Sequence, residues 1–376
     1  MSEWKEFKLG EIYKVHNGLS KGREFFGFGF PFISFSTVFN KWFIPDVVKD
    51  LAQTTEAEQE SYSIKAGDIL VTRTSETADE LGMSCVALKD IPKATYNGFC
   101  KRMRQYNKDV DVYPKYVGYY MRNPEFRKKF QAFAGSMSTR ASLTNEALLG
   151  LTIKVPPLAE QQRIAGILSS LDDKIELNNQ INDNLEKQAQ ALFKNWFIDY
   201  APFGGEMPDD WIEGKLSDIA EITSGKRPPM KQAVSEKNID VPLIGAASVM
   251  GYTNDFLYDE PILVTGRVGT HGVIQRFLTK CWPSDNTLVI KSSYYEYVYQ
   301  ILKNIDFSNM NRGSTQPLIT QSDLNKIECI IPSEQWLKKF EENVGNFFTI
   351  VSKNQIETQR LTTLRDTLLP KLMSGE

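Results

Sequence analysis

The stretch from Val155 to Gln188 reads VPPLAEQQRIAGILSSLDDKIELNNQINDNLEKQ. After its two prolines it contains neither another proline nor turn-forming dipeptides, and this pattern predicts one long helix. Continued to about Asp199, the helix would be roughly 60 Å long at 1.5 Å per residue. Few globular domains contain so long a helix, so the sequence on either side must explain it.

The two sides of this helix resemble each other. Four segment pairs align: WKEFKLGEIYKVHNG (Trp4–Gly18) with WIEGKLSDIAEITSG (Trp211–Gly225), FPFISFSTV (Phe30–Val38) with VPLIGAASV (Val241–Val249), DILVTRT (Asp68–Thr74) with PILVTGR (Pro261–Arg267), and STRASLTNEALLGLTIKVP (Ser138–Pro156) with STQPLITQSDLNKIECIIP (Ser314–Pro332). A long helical pattern follows each half. The chain therefore predicts two globular blocks, each followed by a helix.

Both helical patterns repeat with a period of 3.5 residues, which is typical of a coiled-coil seam. The predicted seam residues are Ile164, Leu168, Leu171, Ile175, Asn178, Leu185, Leu192, Phe340, Val344, Phe347, Val351, Asn354, Leu361 and Leu368. In the alternative interpretation, each helix packs only on its own domain. Polar seam residues such as Asn178 and Asn354 lower stability but can fix the register of the two helices.

Short β-rich runs within each block predict an α+β fold. We expect two similar globular α/β domains separated by two long antiparallel helices, with an internal pseudo-twofold repeat. The predicted boundaries are 1–157 for the first domain, 158–199 for the central helix, 200–210 for a linker, 211–333 for the second domain and 334–376 for the C-terminal helix.

Composition argues against several classes of protein. The 376 residues are 41% hydrophobic and carry a net charge of −3. No apolar run is long enough for a bilayer and no signal-peptide pattern is present, so a soluble cytoplasmic protein is expected. Four scattered cysteines and two histidines argue against a metal site and against a histidine-dependent nucleophile.

Three motifs resemble catalytic sequences, and each has a plainer interpretation. Asn123–Phe126 (NPEF) resembles the Asn-Pro-Pro-Tyr/Phe loop of adenine methyltransferases, but the second proline is missing and a helix N-terminus is favoured. Pro208–Lys215 (PDDWIEGK) is too short for a PD-(D/E)xK nuclease. Gly266–Gly272 (GRVGTHG) precedes no amphipathic helix, so it favours a hairpin loop over a phosphate loop. No catalytic residue is predicted.

Polar residues in equivalent loops of both halves are candidates for DNA contact. Arginine can bind guanine and glutamine can bind adenine through two hydrogen bonds, and serine or threonine can reach a base or a phosphate. For any one of them the alternative is ordinary surface polarity. The candidates are Arg73, Thr74, Lys101, Arg102, Arg104, Ser138, Thr139, Arg140, Gly266, Arg267, His271, Ser314, Thr315 and Gln316.

The whole chain resembles the specificity subunits of type I restriction–modification enzymes. The resemblance rests on Val155–Phe203, on TTLRDTLLPKLMSGE at the end of the chain, and on the paired WKEFKLGEI and WIEGKLSDI segments. It implies a non-catalytic subunit whose two target-recognition domains each read half of a split target in double-stranded DNA through the major groove.

The resemblance also implies partners and cofactors. The long helices would act as a spacer and as the docking surface for two modification subunits, which bind S-adenosylmethionine and methylate adenine. Two restriction/translocase subunits that use ATP and magnesium can join, and no cofactor is expected in this chain itself. The alternative from another class is a structural adaptor with two protein-binding modules on a coiled coil and no DNA contact.

Overall fold

The structure, a computed structural model, describes residues 4–75, 80–134, 141–268, 272–307 and 318–375. The chain divides into two units. The first comprises Met1–Leu177 and Glu357–Glu376, and the second comprises Asn178–Ile356. The two long helices each contribute one end to each unit.

Short strands and short helices build the first unit. Its strands are β1 (Lys5–Lys8), β2 (Tyr13–Asn17), β3 (Phe26–Ile33), β4 (Leu51–Ala52), β5 (Ile69–Thr72), β6 (Thr74–Ser75), β7 (Ser84–Val86), β8 (Thr95–Tyr96), β9 (Cys100–Gln105), β10 (Ala141–Ser142) and β11 (Thr152–Val155). Its helices are α1 (Leu9–Ile12), α2 (Phe35–Asn40), α3 (Glu56–Ser61), α4 (Pro114–Arg122), α5 (Pro124–Ala134), α6 (Asn145–Gly150) and the start of α7 (Leu158–Phe197).

The second unit uses the remaining elements. Its strands are β12 (Ile212–Lys215), β13 (Glu221–Ser224), β14 (Val241–Ile244), β15 (Val249–Thr253), β16 (Ile262–Gly266), β17 (Gln275–Phe277), β18 (Trp282–Pro283), β19 (Thr287–Lys291) and β20 (Glu328–Ile331). Its helices are the end of α7, α8 (Tyr295–Lys303), α9 (Gln321–Asn325) and the start of α10 (Glu334–Ser374).

The two units have the same sheet topology. A four-stranded antiparallel sheet has the order β2-β9-β5-β7 in the first unit and β13-β19-β16-β17 in the second. A three-stranded sheet has the order β4-β3-β8 or β15-β14-β18, and a two-stranded sheet is β1-β11 or β12-β20. The predicted α+β fold with an internal repeat is therefore confirmed.

Equivalent side chains hold equivalent elements in the two units. Tyr116 Oη donates to the Lys154 carbonyl at 2.8 Å, and Tyr297 Oη donates to the Ile330 carbonyl at 2.7 Å, so α4 and α8 are tied to β11 and β20 in the same way. A threonine also caps α6 and α9, at positions that the sequence repeat pairs. Such caps satisfy amide groups that the helix leaves free.

One segment of the sequence alignment is wrong by a single residue. The alignment pairs Ile69 with Ile262, but Ile69 lies in the large core of the first unit, while Ile262 lies in a small separate cluster of the second. Leu263 is the residue in the second unit's large core. Because side chains alternate along a strand, a shift of one residue exchanges the two faces. Arg73 therefore corresponds to Arg267.

The predicted long helix begins at Leu158 and ends at Phe197, and α10 is of similar length. In the first unit, Asp172 on α7 accepts from Arg365 on α10 at 2.8 Å. In the second unit, Asn182 on α7 accepts from Asn354 on α10 at 2.9 Å. Later residues of α7 thus contact earlier residues of α10, so the two helices are antiparallel.

The long helices also belong to the cores of the units. Ile164 and Leu369 are buried in the first core, and Phe193 and Phe340 in the second. Each end of the helix pair is therefore anchored in a domain, while the helices also contact each other. All fourteen residues predicted for the seam are buried or half-buried.

The segment NPEF forms a helix start. Proline disfavours helical geometry in the preceding residue, so α4 ends at Arg122 and α5 begins at Pro124. The buried Asn123 lies between them, and its Oδ1 accepts from the Glu125 amide at 3.3 Å.

Within the described ranges, no helix is both long and apolar enough to cross a membrane.

Candidate nucleic-acid interface

Three segments that are distant in sequence meet at one edge of the first unit. The Arg73 amide donates to the Phe99 carbonyl at 2.9 Å, and the Arg73 carbonyl accepts from the Leu143 amide at 2.8 Å. Directly beyond Arg73, β6 pairs with β10. We call residues 73–75, 97–100 and 141–143 the first loop surface.

The second unit builds the same arrangement. The Arg267 amide donates to the Asn286 carbonyl at 2.8 Å, and the Arg267 carbonyl accepts from the Ile319 amide at 3.0 Å. Val268 forms an isolated antiparallel bridge with Leu318. Residues 267–268, 284–287 and 318–319 form the second loop surface.

In each unit, a glycine packs closely against the backbone of the loop surface. The Gly18 amide donates to the Cys100 carbonyl at 3.0 Å, and the Gly225 amide donates to the Thr287 carbonyl at 3.1 Å. A Cβ atom on Gly18 would lie 2.0 Å from the Asn97 carbonyl oxygen, and one on Gly225 would lie 2.2 Å from that of Ser284. Only glycine permits so close an approach, which explains why the repeat has glycine at both positions.

Four of the candidate DNA-contacting residues lie at or directly beside these surfaces. Arg73 and Thr74 belong to the first, Arg267 belongs to the second, and Gly266 ends the strand that leads to it. The other loop candidates lie outside the described residues: Ser138, Thr139, Arg140, His271, Ser314, Thr315 and Gln316. Their role stays a prediction.

Positive charge is concentrated behind the first loop surface. Burial lowers the pKa of Lys101, and the nearby positive charge of Arg73 lowers it further. Lys101 Nζ donates to Asn145 Oδ1. The Nε of Arg73 is buried and has no hydrogen-bond partner in the part of the chain that the structure describes. Two adjacent cations favour an anion such as a DNA phosphate at this edge.

Comparison with known proteins identifies the family. The family model for the type I restriction modification DNA specificity domain matches residues 1–187 and 208–365. The chain belongs to this specificity family.

Relatives of the specificity family match along the whole chain. The MjaIX specificity subunit of Methanocaldococcus jannaschii is 28% identical, with 100% of this chain and 93% of that protein covered. The HindI specificity subunit of Haemophilus influenzae is 27% identical, with both chains fully covered. The crystal structure of an S subunit from M. genitalium shares the fold with a TM-score of 0.65 at 15% identity, covering 99% of this chain and 96% of that one.

Two arginines of the basic segment CKRMRQ bind other residues of the first unit. Arg102 is buried, and its Nη1 donates to the Ser63 carbonyl at 2.5 Å. Arg104 forms an ion pair with the buried Asp68, with 2.6 Å between Nη2 and Oδ2. Because both guanidinium groups bind within the first unit, the structure argues against a DNA contact for Arg102 and Arg104. Lys101 remains a candidate because it lies beside Arg73.

Two loop residues were missed by the sequence interpretation. Phe99 and Asn286 occupy the tips of the equivalent turns, and both are exposed. The available signal was the turn-forming pairs Asn97-Gly98 and Asp285-Asn286, each within two residues of the start of a strand. This signal predicts a turn, but only the structure shows that the turn lies beside Arg73 or Arg267.

Proposed function

We propose that this chain is the DNA-specificity subunit of a type I restriction–modification enzyme and that each unit recognises one half of a bipartite target. The observation that carries the proposal is the presence of two equivalent loop surfaces, each with an arginine held at the same backbone position. Two similar readers in one chain suit a target made of two separate half-sequences.

The long helices suit the roles of spacer and docking surface. Each helix contributes one end to the core of each unit, so the pair is anchored at both ends. Two modification subunits that carry S-adenosylmethionine would dock on these helices, and two restriction/translocase subunits using ATP and magnesium would join that assembly.

The charge distribution supports a proposal in which this chain and its partners contact different parts of the DNA. The chain has a net charge of −3, and Arg102 and Arg104 are bound inside the first unit. Contacts to phosphates supply much of the affinity of DNA-binding proteins, and contacts to bases supply sequence specificity. In our proposal the partner subunits make most of the phosphate contacts, while this chain makes the base contacts.

The salt dependence of DNA binding tests this division of phosphate and base contacts. The isolated chain should bind target DNA more weakly than the assembly and with a smaller slope of log affinity against log salt. Fluorescence anisotropy at several salt concentrations measures both. Equal affinity and equal slope for the isolated chain would contradict the division.

A footprint of the assembly on DNA tests the proposed function itself. Two protected sequence elements separated by bases without sequence requirement are expected. The absence of any footprint would support the adaptor alternative, which membership of a DNA specificity family disfavours.

A further inference from the structure

The turn that carries Phe99 has a fixed backbone. The Cys100 amide donates to the Asn97 carbonyl at 2.9 Å, and the Phe99 amide donates to Asn97 Oδ1 at 2.8 Å. The Phe99 carbonyl accepts from the Arg73 amide. A Cβ atom on Gly98 would lie 2.2 Å from Ser20 Oγ, so the turn is tightly packed from below. The Phe99 side chain nevertheless points outward and is 59% exposed.

The equivalent turn of the second unit is fixed by equivalent bonds. The Thr287 amide donates to the Ser284 carbonyl at 3.0 Å, and Thr287 Oγ1 donates to the same carbonyl at 2.7 Å. The Asn286 carbonyl accepts from the Arg267 amide. The Asn286 side chain is exposed, as that of Phe99 is. The two turns thus have the same scaffold and differ at the tip.

Two domains with the same scaffold can read different sequences only through side chains that differ. Arginine occupies the same backbone position in both loop surfaces, so it offers the same chemistry to both half-sites. The tip residue is apolar in one unit and an amide in the other. Both tips are held rigidly, and rigid presentation is what a recognition residue requires.

We propose that Phe99 and Asn286 are specificity-determining residues, each contacting a base in the half-site that its own unit reads. This inference rests on the proposed function. The asparagine amide can donate to and accept from adenine together, whereas phenylalanine can make apolar contact with a thymine methyl group. The chemistry therefore favours adenine beside Asn286 and thymine beside Phe99.

Exchange of the tip residues tests the proposal. The full chain, coexpressed with its modification subunits, is compared with its Phe99→Asn and Asn286→Phe variants by mapping methylated adenines across the host genome. Phe99→Asn should change the preferred base at one position of the first half-site, with discrimination altered roughly tenfold or more. Asn286→Phe should do the same in the second half-site. The other half-site and the gap should stay unchanged.

Control variants separate recognition from general damage. Val47→Asn and Leu278→Asn replace exposed apolar residues outside the loop surfaces and should leave the motif unchanged. Phe99→Ala and Asn286→Ala only remove atoms, so they should fold and should relax one base position each. Melting temperatures of all variants verify folding.

Two results would overturn the proposal while leaving the proposed function intact. One is an unchanged motif in the folded tip variants. The other is an equal loss of methylation at every target sequence, which would mean that the tips contribute to DNA binding without reading a base. If the unaltered chain directed no bipartite methylation, the proposed function itself would fail.

Discussion

At the residue scale, Arg267 is held at its backbone while its half-buried side chain lies at the second loop surface. If it binds a base, Arg267→Ala should lower discrimination at one position of the second half-site by about 1–3 kcal/mol. Methylation rates on oligonucleotides with single base changes in either half measure this. Arg73→Ala is the matched control and should affect the first half-site only. Equal loss on all sequences would make Arg267 a phosphate contact.

A second residue with unusual chemistry is Glu341 on α10. Its carboxylate accepts from the amides of Glu296 and Tyr297 at 3.0 and 2.8 Å, at the start of α8. Arg276 binds Glu296 through two hydrogen bonds of 2.6 and 2.7 Å. Burial raises the pKa of Glu341 from 4.5 to about 7. Part of the α8–α10 contact therefore depends on pH.

The pH dependence has a definite sign. Between pH 4.5 and about 7, the folded chain holds a proton on Glu341 that the unfolded chain has lost, so the free energy of unfolding falls as pH rises. The loss is on the order of 1–2 kcal/mol, because remaining water contact reduces the full effect. Urea unfolding measures the free energy of unfolding at pH 5 and at pH 8. The difference between the two values should be smaller for Glu341→Gln than for the unaltered chain. Glu342 is exposed, so Glu342→Gln is the control. An equal change in the free energy of unfolding between pH 5 and pH 8 for all three chains would refute the assignment.

Residue roles were only partly predictable from sequence. The repeat identified Arg73 and Arg267 as candidates because both follow a buried strand. It could not show that Arg102 and Arg104 bind inside the domain, because their partners Ser63 and Asp68 are distant in sequence. A cluster of basic residues has the same composition whether it contacts DNA or its own backbone.

At the scale of elements, the hydrogen bond between Asn182 and Asn354 joins α7 to α10. Replacing only Asn354 with leucine leaves Asn182 without this partner and should lower the free energy of unfolding by about 1 kcal/mol. Replacing both with leucine should recover that loss while weakening the preference for one register. Thermal unfolding and the double-mutant cycle measure the coupling, with the exposed Gln355→Leu as control. A single variant as stable as the double variant would contradict the coupling.

The elements themselves were largely predictable, but their partners were not. The heptad pattern predicted both long helices, and the internal repeat predicted their antiparallel direction. The heptad pattern placed both Asn178 and Asn354 in the seam, but it could not show that Asn354 bonds to Asn182. The strand pair DILVTRT and PILVTGR is displaced by one residue because the four identical letters ILVT favour a register that differs from the one in the structure. Burial distinguishes the two registers.

At the scale of the whole molecule, the proposed spacer role makes a quantitative prediction. Seven extra residues in the middle of both α7 and α10 add about 10 Å of helix, or roughly 3 base pairs at 3.4 Å each. The gap between half-sites should lengthen by about that amount, with both half-sequences unchanged. Methylation mapping of the extended variant measures the gap, and a seven-residue insertion in one helix only is the control. An unchanged gap would argue against the spacer role.

The most direct measurement is a genome-wide map of methylated adenines in cells that contain this chain and its modification subunits. The account predicts a motif of two different short half-sequences separated by a fixed number of unread bases, absent when the chain is deleted. A single continuous motif, or methylation that persists without the chain, would contradict the claim that two units of one polypeptide each read half of the target.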